Sequence, residues 1–228
     1  MPVGEAIARS VCVRLPYKPH TDRFLSNRSA IVRDVARPRE FDPDEVLDRS
    51  MREFWEQGYR KTSVDDLVEA TGVRPGSLYN AFPGGKRRLF LEALARYSAL
   101  VVPEKMGALE RPGAGLAELR AYFDGLVRDL TTPEGRIGCL MVNSTMELAA
   151  EDSEIGAVVR DHMLRLERSA ERALRNAKRR GEISKRVDPR VKAAQLMATG
   201  MGLMVIGKTD PGPAVLETIV GAAFADLQ

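Results

Sequence analysis

Cysteine and histidine are scarce in this chain, at two residues each among 228. Cys12 and Cys139 cannot build a disulfide framework, and with two histidines they make no zinc site, so neither a metal nor a cofactor is expected. Long apolar runs are missing too. The longest stretch free of charge, Ala193 to Gly207, falls short of the roughly 18 apolar residues a membrane span needs. The N-terminus has no apolar signal core, which predicts a cytoplasmic protein with no membrane partner. Nor does either charge dominate: 35 basic against 32 acidic side chains leave +3, too little to announce a nucleic-acid partner. No segment alternates with period two for long, so no sheet is expected. The sequence also holds no nucleophile elbow, no metal-spaced His/Glu cluster and no phosphate loop. Gly84-Gly85-Lys86 has Asn80 where such a loop begins with glycine, and Arg87 where it ends in Ser or Thr. These absences exclude a recognisable enzyme.

What is present is helix. Asp42-Pro43-Asp44-Glu45 is a start signal: Asp42 caps, Pro43 suits the first helical position, and Glu45 is placed for a capping box. Leu47, Met51, Phe54 and Trp55 follow at helical spacing, and Gly58 is a stop. A second helix starts at Thr62 and ends near Thr71-Gly72, a short third covers Pro75 to Ala81, and Lys86 opens a long fourth. Further helices are predicted around Leu119–Leu130, from Ile137 to Leu148, from Ile155 to a stop at Gly181, from Asp188-Pro189 onward, and over Pro213 to Leu227. The expected fold is all-α: an N-terminal three-helix unit joined through the Lys86 helix to a larger helical bundle. The domains are residues 1–36, a flexible tail holding the whole +3; residues 37–97, the three-helix unit; and residues 98–228, the bundle.

The three-helix unit carries the functional signal. Helix, Gly-containing turn and short helix from Thr62 to Phe82 fit a helix-turn-helix. In the second of these, Leu78 and Phe82 suit the core, whereas Arg74, Ser77, Tyr79 and Asn80 are polar and sized for a major groove. Arginine suits guanine and asparagine adenine, while hydroxyls suit phosphate. Acidic residues predominate from Asp42 to Glu69, and the basic cluster Arg74, Lys86, Arg87 and Arg88 lies beside the short helix. Lys86 also opens a helix, whose positive end favours phosphate.

Phe54-x-x-x-Gly58-Tyr59-x-x-Thr62-Ser63-Val64, then Gly72-Val73-x-x-Gly76-Ser77-Leu78-Tyr79-x-x-Phe82, then Lys86-x-x-Leu89-Phe90 resembles the signature of TetR-family transcriptional regulators. The resemblance covers about residues 37–97, with Ala81 standing where many members have an aromatic. It implies that Thr62 or Ser63, Tyr79 and Lys86 clamp phosphates, that Arg74, Pro75, Ser77 and Asn80 lie nearest base edges, and that Arg37 and Arg39 enter a minor groove. The partners it implies are a double-stranded DNA operator and a second copy of the chain.

Two features of the bundle fit such a regulator. Ala194, Ala198, Gly200 and Gly202 of the charge-free helix, with Leu216, Ile219, Val220, Ala223 and Phe224 of the last helix, suit a homodimer interface. Gly138-Cys139-Leu140 resembles a TetR-like subgroup. Asn143 and Glu147, four apart, are candidate polar contacts of an effector pocket, with Tyr122, Cys139, Met146, Met163 and Met201, and beyond these Met106 and Met197, as its walls. The function expected is a homodimeric repressor that binds a palindromic operator and is released by a small molecule. The alternative is a redox or electrophile sensor acting through Cys139.

Overall fold

Asp42 starts the first helix as expected, accepting the Asp44 amide at 2.9 Å, with Pro43 at the first helical position. This helix, α1 (Pro43–Gln57), opens a computed structural model that describes residues 41–227. Glu45 closes no capping box, because Arg49, one turn on, takes its carboxylate. α2 (Val64–Thr71) does have a box, formed by Ser63 and Asp66 rather than Thr62. α3 (Pro75–Ala81) and the 26-residue α4 (Gly85–Glu110) follow. The bundle adds α5 (Leu116–Leu130), α6 (Leu140–Leu148), α7 (Ser153–Arg180), α8 (Pro189–Ile206) and α9 (Pro213–Phe224). The described residues contain no strand.

The helix predicted from Ile137 to Leu148 is two pieces. A 3-10 turn, Gly135–Ile137, stops at Gly138, whose φ of 75° no continuous helix accepts, and α6 starts afresh after Cys139. The last predicted helix likewise finishes as a 3-10 turn, Ala225–Leu227.

α4 is the spine. Its first half buries Leu89, Phe90, Ala93, Leu94 and Tyr97, and its second half Val102, Met106 and Leu109. Against the first half lies α1, through Phe54 edge-on to Phe90 (4.9 Å) and Trp55 edge-on to Tyr97 (5.0 Å). Arg96 of α4 adds a bidentate pair to Asp48 of α1 at 2.7 and 2.9 Å. The helix passes through Pro103 unbroken. Proline cannot donate to the carbonyl one turn back, but both Pro103 and Ala99 face solvent, where water replaces that bond. The boundary drawn between residues 97 and 98 therefore falls inside a continuous helix.

α7 buries Ile155, Val159, His162, Leu166, Ala170, Ala173, Leu174 and Ala177 at helical spacing against its neighbours. Its first turn comes so close to the end of α6 that a Cβ on Gly156 would lie 2.7 Å from the Ala149 carbonyl oxygen, so only glycine fits. α9 packs across α5 and α8, with Phe123 and Phe224 edge-on at 5.4 Å. The outer sides of α8 and α9 stay apolar and uncovered: Val191, Val205, Ile206 and Val215 are exposed, beside exposed Ala194, Ala198 and Ala222.

Candidate nucleic-acid interface

The α2–α3 turn is built to hold a short helix rigidly. Thr71 donates its hydroxyl to the Leu67 carbonyl at 2.6 Å and accepts the Val73 amide, and Gly72 takes the left-handed cap position. Val73, Leu78 and Phe82 then anchor α3 in the core. With those three inside, the rest of the segment turns outward: Arg74, Pro75, Gly76, Ser77, Tyr79 and Asn80 are all exposed.

Gly84 and Gly85, with φ of 109° and 68°, turn the chain sharply from α3 into α4. The missing side chain at Gly85 makes room for Tyr79, whose ring carbon would stand 3.3 Å from a Cβ there. Lys86 follows in the first turn of α4, with its Nζ 4.4 Å above the Tyr59 ring. Partial burial lowers the Lys86 pKa, while Glu147 and Asp66 oppose the shift. Tyr79, at 44% exposed, and Lys86 thus sit together at the edge of α3, where free helix amides and a cation favour an anion.

Thr62 does not join this surface. It is fully buried and donates its hydroxyl to the Gly58 carbonyl at 2.7 Å, so of the predicted Thr62–Ser63 pair only Ser63 is exposed. Arg37 and Arg39 lie outside the described residues, as does the tail reading of residues 1–36. The flanking arginines are claimed internally. Arg87 forms a fork to Asp152 (2.7 and 2.9 Å) and reaches Glu154 (2.8 Å), and Arg88 pairs with Glu92.

The effector candidates do not converge. Glu147, expected in a pocket, instead accepts the backbone amides of Tyr59 (2.9 Å) and Arg60 (2.6 Å), docking α6 on the α1–α2 turn. Asn143 turns back to donate to the Ile137 carbonyl at 2.9 Å, and Met146 is 77% exposed. Each of these three side chains is thus engaged with backbone or turned to solvent. Tyr122, Cys139, Met163 and Met201 remain inside or half-inside the bundle. Cys139 accepts the Tyr97 hydroxyl at 3.4 Å; burial pushes its thiol up, a larger effect than that bond's stabilisation of the thiolate. Burial also raises the Tyr122 pKa.

Sequence reasoning missed the contacts that join the three-helix unit to the bundle. Besides Glu147 and Arg87, Trp55 donates to the Gly138 carbonyl at 2.9 Å, and Arg60 pairs with Glu151. The partners are 65 to 91 residues apart, so no local pattern marks them.

Comparison with known proteins places this architecture. Residues 46–93 match the model described as bacterial regulatory proteins, tetR family, and residues 115–222 match that of the tetracyclin repressor-like C-terminal domain. The chain belongs to the TetR family: it is a DNA-binding transcriptional regulator, and not an enzyme. It is 30% identical over 190 residues to the HTH-type transcriptional repressor ComR of Escherichia coli, covering 82% of this chain and 90% of ComR. It is 34% identical over 150 residues to the regulator YezE of Bacillus subtilis, covering 66% of this chain and 77% of YezE. Among solved structures, a cysteine-substituted form of the TetR-family regulator CifR in complex with a 26-bp operator superposes with a TM-score of 0.74 at 28% identity, over 85% of this chain and 100% of CifR. No described helix is long and apolar enough to cross a membrane.

Proposed function

We propose that the chain is a homodimeric repressor, acting in the cytoplasm, that binds a palindromic operator and lets go when its bundle takes up a small molecule. The observation carrying the DNA half is the split of α3: Leu78 and Phe82 inside, Arg74, Ser77, Tyr79 and Asn80 outside. On this reading Arg74, Pro75, Ser77 and Asn80 approach base edges, while Ser63, Tyr79 and Lys86 hold phosphates. Arg37 and Arg39 would extend the contact into a minor groove. ComR, named a repressor, and CifR, solved with operator DNA, support the direction of this reading.

Dimerisation is assigned to the outer faces of α8 and α9: Gly200, Leu216, Val220, Ala223 and Phe224, expected at the interface, are buried within the chain, and exposed Val191, Val205, Ile206 and Val215 would otherwise meet water. One two-fold then sets two α3 helices a helical turn of DNA apart, about 34–36 Å. Release works through the junction. α6 grips the α1–α2 turn by Glu147, Trp55 of α1 donates to Gly138 just ahead of α6, and α7 grips the start of α4 by Asp152 and Glu154 on Arg87. A ligand that parts α5, α7 and α8 near Tyr122, Met163 and Met201 shifts α6 and α7, and with them both recognition helices. The thiol alternative has less support, since Cys139 is buried and its pKa is raised.

Selection of duplexes from a random pool by the full chain tests the reading. Enriched palindromes, bound less tightly as salt rises, are expected. Failure to enrich any duplex would refute it.

A further inference from the structure

A second group of arginines remains unused by the DNA reading. Arg168, Arg172, Arg175 and Arg179 stand at intervals of four, three and four along α7, and therefore on one face of that helix. They line an open groove of about 360 Å³ with Pro112 in its wall. Glu171 is the single acidic side chain among the lining residues. Cations in the last turn of a helix are expected from its dipole, which accounts for Arg179 at the end of α7. It does not account for Arg168, Arg172 and Arg175, which lie outside that turn.

The groove is also pre-shaped. Asn176 is buried and donates to the carbonyls of Pro112 (2.9 Å) and Ala114 (2.6 Å), fixing the wall. Its own side-chain oxygen accepts from Arg179. Arg172 is held by the Glu110 carbonyl at 2.8 Å, yet its Nε is buried with no acceptor among the described residues. Arg175 is held by Glu171, and Arg168 has no acidic partner among the described residues. The guanidinium forks of Arg172 and Arg179, held in advance, lose little freedom on meeting an oxyanion.

We infer that this groove binds a phosphorylated small molecule of about nucleotide size, with its phosphoryl oxygens on Arg168, Arg172 and Arg179. The volume falls within the range of small-molecule sites, roughly 300–1,000 Å³. A bidentate arginine matches phosphate geometry. Arg168 lies about 21 Å along α7 from Glu154, at 1.5 Å per residue, so the site is remote from α3. It occupies the same helix that grips Arg87.

The test is titration of the full chain with inorganic pyrophosphate, by calorimetry at ionic strength held constant with sodium chloride. Wild type should bind with Kd on the order of 0.1 mM, the scale expected for a charge fragment of a larger ligand. Arg168→Gln combined with Arg179→Gln should weaken binding at least tenfold. Arg168→Gln alone, which leaves the Asn176 contact intact, should weaken it several-fold with an unchanged melting temperature. Lys105→Gln, an exposed cation outside the groove, should bind pyrophosphate as wild type does. Equal binding by the double variant, or an equal loss in Lys105→Gln, would overturn the inference. So would a loss of duplex affinity in the double variant with pyrophosphate binding intact, since the groove would then serve nucleic acid.

Discussion

The α3–α4 face and the α6 junction lie on the same three-helix unit and treat their polar groups in opposite ways. On the face, the side chains of Arg74, Ser77 and Asn80 are exposed and form no hydrogen bond to another described residue. At the junction, Glu147, Trp55 and Arg87 each have a partner inside the chain, at 2.6 to 2.9 Å for their best bonds. Donors left open cost nothing in water and are available to a partner, whereas donors satisfied internally transmit position. A regulator needs both, and here they meet: Lys86 lies over the ring of Tyr59, whose amide Glu147 accepts.

Removing the open groups should leave the fold intact and abolish function. With Arg74, Tyr79, Asn80 and Lys86 all replaced by Ala, duplex affinity is expected to drop more than about 100-fold, roughly 3 kcal/mol. Thermal unfolding should change little, because none of these side chains fills the core. Unaltered affinity would break the comparison at its root.

The bundle interior is expected to respond to pH through one residue. His162 is buried on α7 near Glu110 and Arg165, its Nδ1 has no partner among the described residues, and burial lowers its pKa to about 4. The unfolded chain takes up this proton from about pH 6.5, while the native state takes it up only near pH 4. Stability should therefore fall as pH drops through that window, by on the order of 3 kcal/mol at its foot. Urea unfolding of His162→Phe should show a shallower fall over the same window. An identical pH slope in the two proteins would show that the imidazole is not held neutral.

A smaller effect separates linkage from binding at the junction. Glu147→Ala leaves the Tyr59 and Arg60 amides without their acceptor, at a cost of about 1–2 kcal/mol in urea unfolding. Glu147→Gln, which keeps one side-chain oxygen as acceptor, should recover part of it. Duplex affinity should change less than in the α3 variant, since Glu147 is off the recognition face. A loss of affinity as large as that of the quadruple variant would erase the distinction between the two regions.

Much of the fold was legible without coordinates because its signals are local. Asp42-Pro43, Asp188-Pro189, Gly72 and Gly181 set helix ends through bonds within one turn, and all four stand where expected. The outward side chains of α3 were legible for the same reason: in a seven-residue helix, burying Leu78 decides what faces away. Where two local signals competed, sequence did not choose between them. Glu45 had a capping role and an Arg49 partner one turn on, and the ion pair won. Thr62 reads as the start of the second helix, but Ser63, the residue next to it, takes the cap.

The partners of the acidic and polar residues in the bundle were not legible at all. Four-residue spacing correctly put Asn143 and Glu147 on one side of a helix, but not what that side would meet. Docking against the α1–α2 turn converted Glu147 from a pocket residue into an anchor, and the break at Gly138 drew Asn143 back onto its own loop. By itself, the sequence determined where helices begin and end and which side chains of α3 must be free, because those are short-range consequences of backbone geometry and burial. Only the tertiary structure decided which charges are spent within the chain and which remain for a ligand. Contacts across 65 to 91 residues depend on how whole helices come to lie.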